Sequence, residues 1–311
     1  MKKISVLIPT YNEQENVEEM AAAIIELFKK DLTKYNYEII FIDNCSADNT
    51  RQILETMCSK NENIKAIFNT KNFGQFNSPY YGLCQTTGDA TILICADFQD
   101  PVDMIPRFVD EWEQGNKVVC GIKTTSRENR FMRVLRSIYY KIIKKFSSVE
   151  QIEHFTGFGL YDKSFIDVLR NLNDSMPFLR GIVAELGQHK DIPYEQQRRK
   201  AGKTKNNWFS LYDAAMLGFT SYTKIGLRIA IFIGLILSVV GFLVALVYLV
   251  MKLLFWNAFV AGMAPILLGV FLFSSIQLFF IGLMGEYIMT INLRILHRPL
   301  VIEDKRINFD D

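Results

Sequence analysis

Ile4-Ser5-Val6-Leu7-Ile8-Pro9-Thr10-Tyr11-Asn12-Glu13 is a short apolar run that stops at a proline and opens into a polar cluster. Such a run reads as a buried strand followed by a loop. Apolar residues then fall at helical spacing between Asn16 and Lys30: Val17, Met20, Ala21, Ile24, Leu27 and Phe28. The strand signal returns over Glu38 to Ile42 and ends in Asp43-Asn44. Thr50 to Cys58 reads as a helix, Ile64 to Phe68 as a third strand, and Gln75 to Thr86 as a helix. Ala90 to Ala96 is a fourth strand ending at Asp97. Strands alternating with helices predict an α/β fold with a mostly parallel sheet covered on both faces. Ligands of such sheets bind beyond the carboxyl ends of the strands. Polar clusters stand at three of those ends: Pro9 to Glu13, Asp43 to Asp48 and Asp97 to Asp100.

No GxGxxG stretch and no P-loop follows any strand, which disfavours a dinucleotide dehydrogenase or a P-loop ATPase. Half of the 311 residues are hydrophobic, and the excess is local. Ile229 to Met251 is uncharged, and a second uncharged run extends from Leu253 to Gly285, interrupted by Asn257, Gly262 and Pro265. Buried helical hairpins rarely stay uncharged for so long, so two membrane spans are expected. Arg198, Arg199, Lys200, Lys203 and Lys205 precede the first run, and Arg294, Arg298, Lys305 and Arg306 follow the second. Basic flanks on both sides put both termini in the cytoplasm. The five cysteines show no CxxC spacing and read as free thiols in a reducing compartment. The net charge of +2 says little about partners, and no nucleic acid is expected. Phe131 to Phe146 and Trp208 to Tyr222 look amphipathic, and the second lies where an interfacial helix would. Asp97-Phe98-Gln99-Asp100 offers hard oxygen donors at a strand end, which suit Mg2+ or Mn2+. On an extended backbone Asp97 and Gln99 would point the same way and Asp100 away.

Val6 to Glu13, Asp43 to Thr50, Asn72-Phe73-Gly74-Gln75 and Ala96 to Asp100 together resemble the family two glycosyltransferases of GT-A fold. Within that family the chain is most similar to the polyprenyl-phosphate group, which includes dolichol-phosphate mannose synthase and bactoprenol glucosyltransferase. The similarity continues through Arg199 to Lys205 and Gly285-Glu286-Tyr287, and so covers nearly the whole chain in order. It implies a catalytic domain at 1–206, a juxtamembrane helix at 207–228, a two-helix hairpin at 229–290 and a cytoplasmic tail at 291–311. It further implies inverting transfer of a sugar from a UDP- or GDP-linked donor to undecaprenyl or dolichyl phosphate. By the resemblance, Pro9, Tyr11, Glu13 and Asp43 contact the donor's base and ribose, with Asn44 beside them. Asp97 and Gln99 would hold the metal, and Arg199 and Lys205 the acceptor phosphate, joined by Arg127 and Arg130. Members of the family can assemble through their spans, which allows a homo-oligomer and leaves the oligomeric state open.

Two departures stand out. Cys95 replaces an aspartate of the family's metal motif, and is read as a buried strand residue. The family's Gly-Asp-Phe-Arg stretch becomes Thr156-Gly157-Phe158-Gly159, leaving upstream Glu153 as the candidate catalytic carboxylate beside Asp97. A phosphate monoester is already anionic at neutral pH, with a second pKa of about 6, so the acceptor needs positioning more than deprotonation. The rival readings are transfer to a lipid-linked glycan and a non-catalytic scaffold that binds nucleotide-sugar.

Overall fold

The computed structural model describes residues 1–125, 152–172, 174–186, 188–200, 208–222, 225–254, 263–296 and 298–309. Its first half alternates β1 (Lys3–Thr10), α1 (Val17–Lys30), β2 (Asn36–Asp43), α2 (Thr50–Lys60), β3 (Ile64–Asn69), α3 (Gly74–Gln85) and β4 (Ala90–Leu93). A 3-10 turn at Val102–Met104 leads into α4 (Ile105–Glu113) and β5 (Val118–Thr125). Next come β6 (Phe155–Asp162), α5 (Lys163–Leu172), α6 (Leu179–Glu185) and β7 (Lys190–Glu195). Three helices follow, α7 (Trp208–Tyr222), α8 (Ile225–Leu254) and α9 (Met263–Ile295), and β8 (Glu303–Ile307) closes the chain.

The strands form one sheet in the order β7-β5-β6-β4-β1-β2-β3-β8. Its centre is parallel: β1 pairs with β2 and β4, and β2 with β3. Strand β6 joins β4 antiparallel, and β8 joins β3 antiparallel. Period-two alternation sends the β1 side chains to both faces. Ile4, Val6 and Ile8 pack with Met20, Ile24, Leu54 and Phe108 from α1, α2 and α4. Leu7 packs the opposite way, with Tyr80, Leu83, Ile166 and Ile182 from α3, α5 and α6. Burial on both faces is why these strands read as continuous apolar runs.

At the end of the sheet away from the polar clusters, Glu38 is sealed at 1% exposure. Ser5 Oγ donates to it at 2.5 Å, and the Lys3 and Lys65 ammonium groups stand 2.8 and 3.0 Å away. Burial pushes its carboxyl upward, but the bonds from Lys3, Ser5, Thr87 and Lys65 outweigh burial and hold it at about 2. A buried carboxylate is tolerated because it is fully paired.

Several expectations need correction. The expected fourth strand reached Ala96, yet β4 ends at Leu93 and Cys95 is exposed beyond it. The backbone is not extended at Asp97–Asp100: Phe98 has φ 58°, so the segment turns and Asp100 folds inward. The C-terminal stretch is not merely a tail, because it supplies β8 to the sheet. The span expected at 229–251 falls in α8, and that expected at 253–285 runs partly through 255–262, outside the described residues. Among the described residues one stretch, Ile276–Leu293 of α9, is long and apolar enough to cross a bilayer. The amphipathic segment 131–146 also lies outside the described residues. Helix α7 packs on α9: Tyr212 Oη donates to Glu286 Oε1 at 2.9 Å, and Thr220 and Thr290 hydroxyls meet at 3.1 Å.

Candidate functional site

The carboxyl ends of β1, β2 and β4 carry polar groups that are largely buried and bonded to one another. Thr10 and Asp43 are register partners, and the Asn44 N–H continues the ladder to the Thr10 carbonyl at 2.9 Å. Beyond that point the two loops are knitted together. The Asn12 N–H donates to Ser46 Oγ at 2.8 Å, and Asn12 Oδ1 accepts from the Ala47 N–H at 2.7 Å. The Glu13 N–H donates to Thr50 Oγ1 at 2.9 Å. Asn12 and Cys45 hold φ 57° and φ 64°, and Asn tolerates this left-handed region better than most residues. Short polar residues here satisfy backbone groups that a loop would otherwise leave open.

Asp43 is 0% exposed. Ser46 serves it twice, from Oγ at 2.5 Å and from the backbone N–H at 3.1 Å. Burial raises its carboxyl above the usual range, while Ser46 and Arg51 pull the other way. Glu13 accepts from Asn16 Nδ2 at 2.6 Å, and burial raises its carboxyl too.

The β4 end is tied to the strap that follows β7. Arg199 Nη2 reaches Asp97 Oδ2 at 2.7 Å, and Arg199 Nη1 stands 3.8 Å from Glu13 Oε1. Two backbone bonds fix the strap: Gln197 N–H to the Gln99 carbonyl at 3.1 Å, and Lys200 N–H to the Asp97 carbonyl at 3.2 Å. Lys200 also pairs with Glu19 and lies 5.2 Å over the Phe98 ring. Asp97 Oδ1 accepts from the Gln99 N–H at 3.2 Å. Asp100 accepts from Tyr194 Oη at 2.6 Å, and burial raises its carboxyl despite that bond.

Glu13, Asp97 and Arg199 therefore converge, with Asp43 joined to them through Ser46 and Asn12. Pro9, near the end of β1, and Tyr11, on the loop just beyond it, sit half-buried. Asn44 is turned elsewhere. Its Nδ2 donates to Asn72 Oδ1 and the Gly74 carbonyl at 2.8 and 3.2 Å. Its Oδ1 accepts from Asn69 Nδ2 and the Phe73 N–H at 3.1 and 2.8 Å. All four bonding positions of the amide are used within the protein. Asn44→Asp should therefore cost about 1–3 kcal/mol, because a carboxylate cannot make the two donated bonds. Thermal unfolding reads this directly, and an unchanged midpoint would remove Asn44 as the hub of the 69–74 loop.

Glu153 is exposed in the turn before β6. Antiparallel register pairs Leu93 with Gly159, so the start of β6 projects past the β4 end, on the Asp97 side of the sheet. Arg127, Arg130 and Lys205 lie outside the described residues. Sequence reading overlooked Arg51 and Tyr194, since neither belongs to a recognisable motif. Among the described residues no group of three or more His, Cys, Asp or Glu side chains forms a protein-only metal cage. Asp97 and Gln99 carry oxygen donors of the chemical type that suits a hard cation sharing its coordination with phosphates, because Mg2+ is commonly held by one or two carboxylates plus substrate oxygens.

Residues 5–169 match the family described as Glycosyl transferase family 2. A bactoprenol glucosyl transferase of Shigella phage SfX is 31% identical over 299 residues, 96% of this chain and 97% of that protein. A prophage bactoprenol glucosyl transferase homolog of Escherichia coli (strain K12) is 30% identical over 302 residues, 96% of this chain and 98% of its own length.

Proposed function

The chain belongs to glycosyl transferase family 2, and from that membership we propose that it transfers a sugar from a UDP- or GDP-linked donor to a polyprenyl phosphate at a membrane surface. One observation carries the proposal. Asp97 and Arg199 meet at the strand ends, and the strap bearing Arg199 precedes helices whose apolar side chains remain exposed. Ile231, Phe232, Leu278 and Phe279 are each more than 60% exposed, a surface suited to lipid rather than water. The relatives' names point the same way, toward a bactoprenol acceptor.

In this reading Asp43, Glu13, Pro9 and Tyr11 hold the donor's base and ribose, while Asn44 shapes the adjoining loop. Asp97 and Gln99 hold Mg2+ or Mn2+, which supplies neutralising charge to the departing diphosphate. Arg199, with Arg127, Arg130 and Lys205, orients the lipid phosphate. The acceptor oxygen, already anionic, attacks the anomeric carbon in line, and a single displacement inverts it. Glu153 is the carboxylate assigned to assist. Crossings in α8 and α9 would keep the domain on the cytoplasmic face of the cell membrane, and homo-oligomers would form through the same helices.

The test is product analysis with the full chain in vesicles containing undecaprenyl phosphate and a panel of radiolabelled UDP- and GDP-sugars. A lipid product labile to mild acid is expected, since that is the property of a sugar-phosphate-prenol linkage. An acid-stable product would assign a hydroxyl acceptor instead, and no product from any donor would favour the non-catalytic scaffold.

A further inference from the structure

We propose that Arg51 is a positioning residue that couples the docked C-terminal strand to the Asp43 carboxylate, making donor binding depend on the last residues of the chain. This rests on the reading of Asp43 as a donor contact.

Arg51 is the second residue of α2. A cation in the first turn of a helix meets the positive end of the dipole, so its place there is unfavourable unless carboxylates answer it. Two do. Arg51 Nε stands 3.8 Å from Asp43 Oδ2, and Nη2 reaches Asp304 Oδ2 at 2.6 Å. The guanidinium also lies 5.0 Å over the Phe68 ring, which limits its sideways freedom. It spans two environments: the Asp43 side chain is 0% exposed, that of Asp304 is 53% exposed, and Arg51 sits between them at 32%.

The far end of this bridge is held firmly. Asn308 Nδ2 donates to the Cys58 and Ile64 carbonyls, each at 2.8 Å. The Thr70 N–H donates to the Ile302 carbonyl at 3.0 Å. Asp304 is the extra residue where the register shifts between the Phe68–Lys305 and Asn69–Glu303 partners, bonds on either side hold the strand there, and Asp304 holds Arg51 on its line toward Asp43.

Arg51 and the two Ser46 donors favour the Asp43 anion, while burial and the Asp48 carboxylate oppose it. Losing Arg51 therefore raises the pH below which Asp43 is neutral and can no longer accept a bond from the donor as an anion. Donor affinity should fall more at pH 6 than at pH 8.

The experiment is calorimetry of UDP and GDP binding to the full chain between those two pH values. Arg51→Gln should weaken the nucleotide that the parent binds by about tenfold at pH 7, as expected when a buried carboxylate loses its counter-charge. The loss should be larger on the acid side. Arg51→Lys should recover most of the affinity. Asp304→Asn, a surface change that leaves Arg51 in place, should cost about threefold with the same pH sense, in keeping with a partly exposed ion pair. Should Arg51→Gln fail to fold, Asp304→Asn alone decides. Parent-like affinity and pH slope in Asp304→Asn, or in a folded Arg51→Gln, overturns the coupling while Asp43→Asn still weakens binding. If Asp43→Asn itself binds like the parent, the donor-site reading fails and takes the coupling with it.

Discussion

Asp97→Asn is expected to lower turnover by about 10³-fold, the loss typical of removing one group that stabilises developing charge. The amide is nearly isosteric, so shape is kept and charge is lost. One oxygen of Asp97 now accepts from Arg199 at 2.7 Å, and the other accepts from the Gln99 N–H at 3.2 Å. An amide can satisfy only one of these two donors. It also offers a cation one neutral oxygen in place of an anionic pair. Backbone bonds from Lys200 and Gln197 remain to hold the strap, so the protein should still fold and float with membranes. Turnover and vesicle flotation measured on the same preparation separate the two effects. Parent-level turnover would discredit the metal assignment at Asp97.

Gly159→Ala is expected to damage the fold itself. A Cβ at this position would lie 2.2 Å from the Val119 carbonyl oxygen, a backbone atom of β5 that no rotamer change can move aside. Cys120 and Gly159 are register partners, so relief requires the β5–β6 pair to separate. Overpacking of this severity costs about 3 kcal/mol or more, which for a domain of this size lowers the thermal midpoint by about 6–12 °C. An unchanged midpoint would contradict the close β5–β6 approach. Gly157 differs: a Cβ there would meet the Leu93 and Leu179 side chains at 3.5 and 3.8 Å, ordinary contacts, but φ 104° disfavours any side chain. Thr156-Gly157-Phe158-Gly159 therefore has a physical reason for lacking the family's Asp and Arg. An arginine has no room at Gly159, and Gly157 has a backbone suited to glycine. The strand accommodates glycine at both positions, and Glu153 remains the carboxylate to test.

The first half of the fold was legible because buried parallel strands write themselves as apolar runs. Elements from β1 to α3 lie within a few residues of where Ile4 to Ile8, Glu38 to Ile42 and Ile64 to Phe68 put them. The later strands were not legible. Strand β6 is interrupted by glycines, β7 carries Pro193 at the sheet edge, and β8 reads Glu-Asp-Lys-Arg-Ile. Edge strands tolerate proline and favour charge, so they lack the signal that marks central ones. In the site, the strand-end motifs announced Asp43 and Asp97 directly. The resemblance also leads us to expect Asp97 and Arg199 around a single cleft, and their 2.7 Å contact agrees, although the contact itself depends on where the strap of residues 197–200 settles. Arg51 was silent for a similar reason: its meaning appears only when Asp304 arrives on β8.

The position of β8 also matters during folding. Until residues 303–307 pair with it, the outer edge of β3 presents unpaired N–H and C=O groups. A chain in which β8 has not docked is thus sticky along that edge, whereas the docked strand covers it with charged Glu303, Asp304, Lys305 and Arg306. Docking of β8 is in this sense the step that guards the molecule against edge-to-edge self-association.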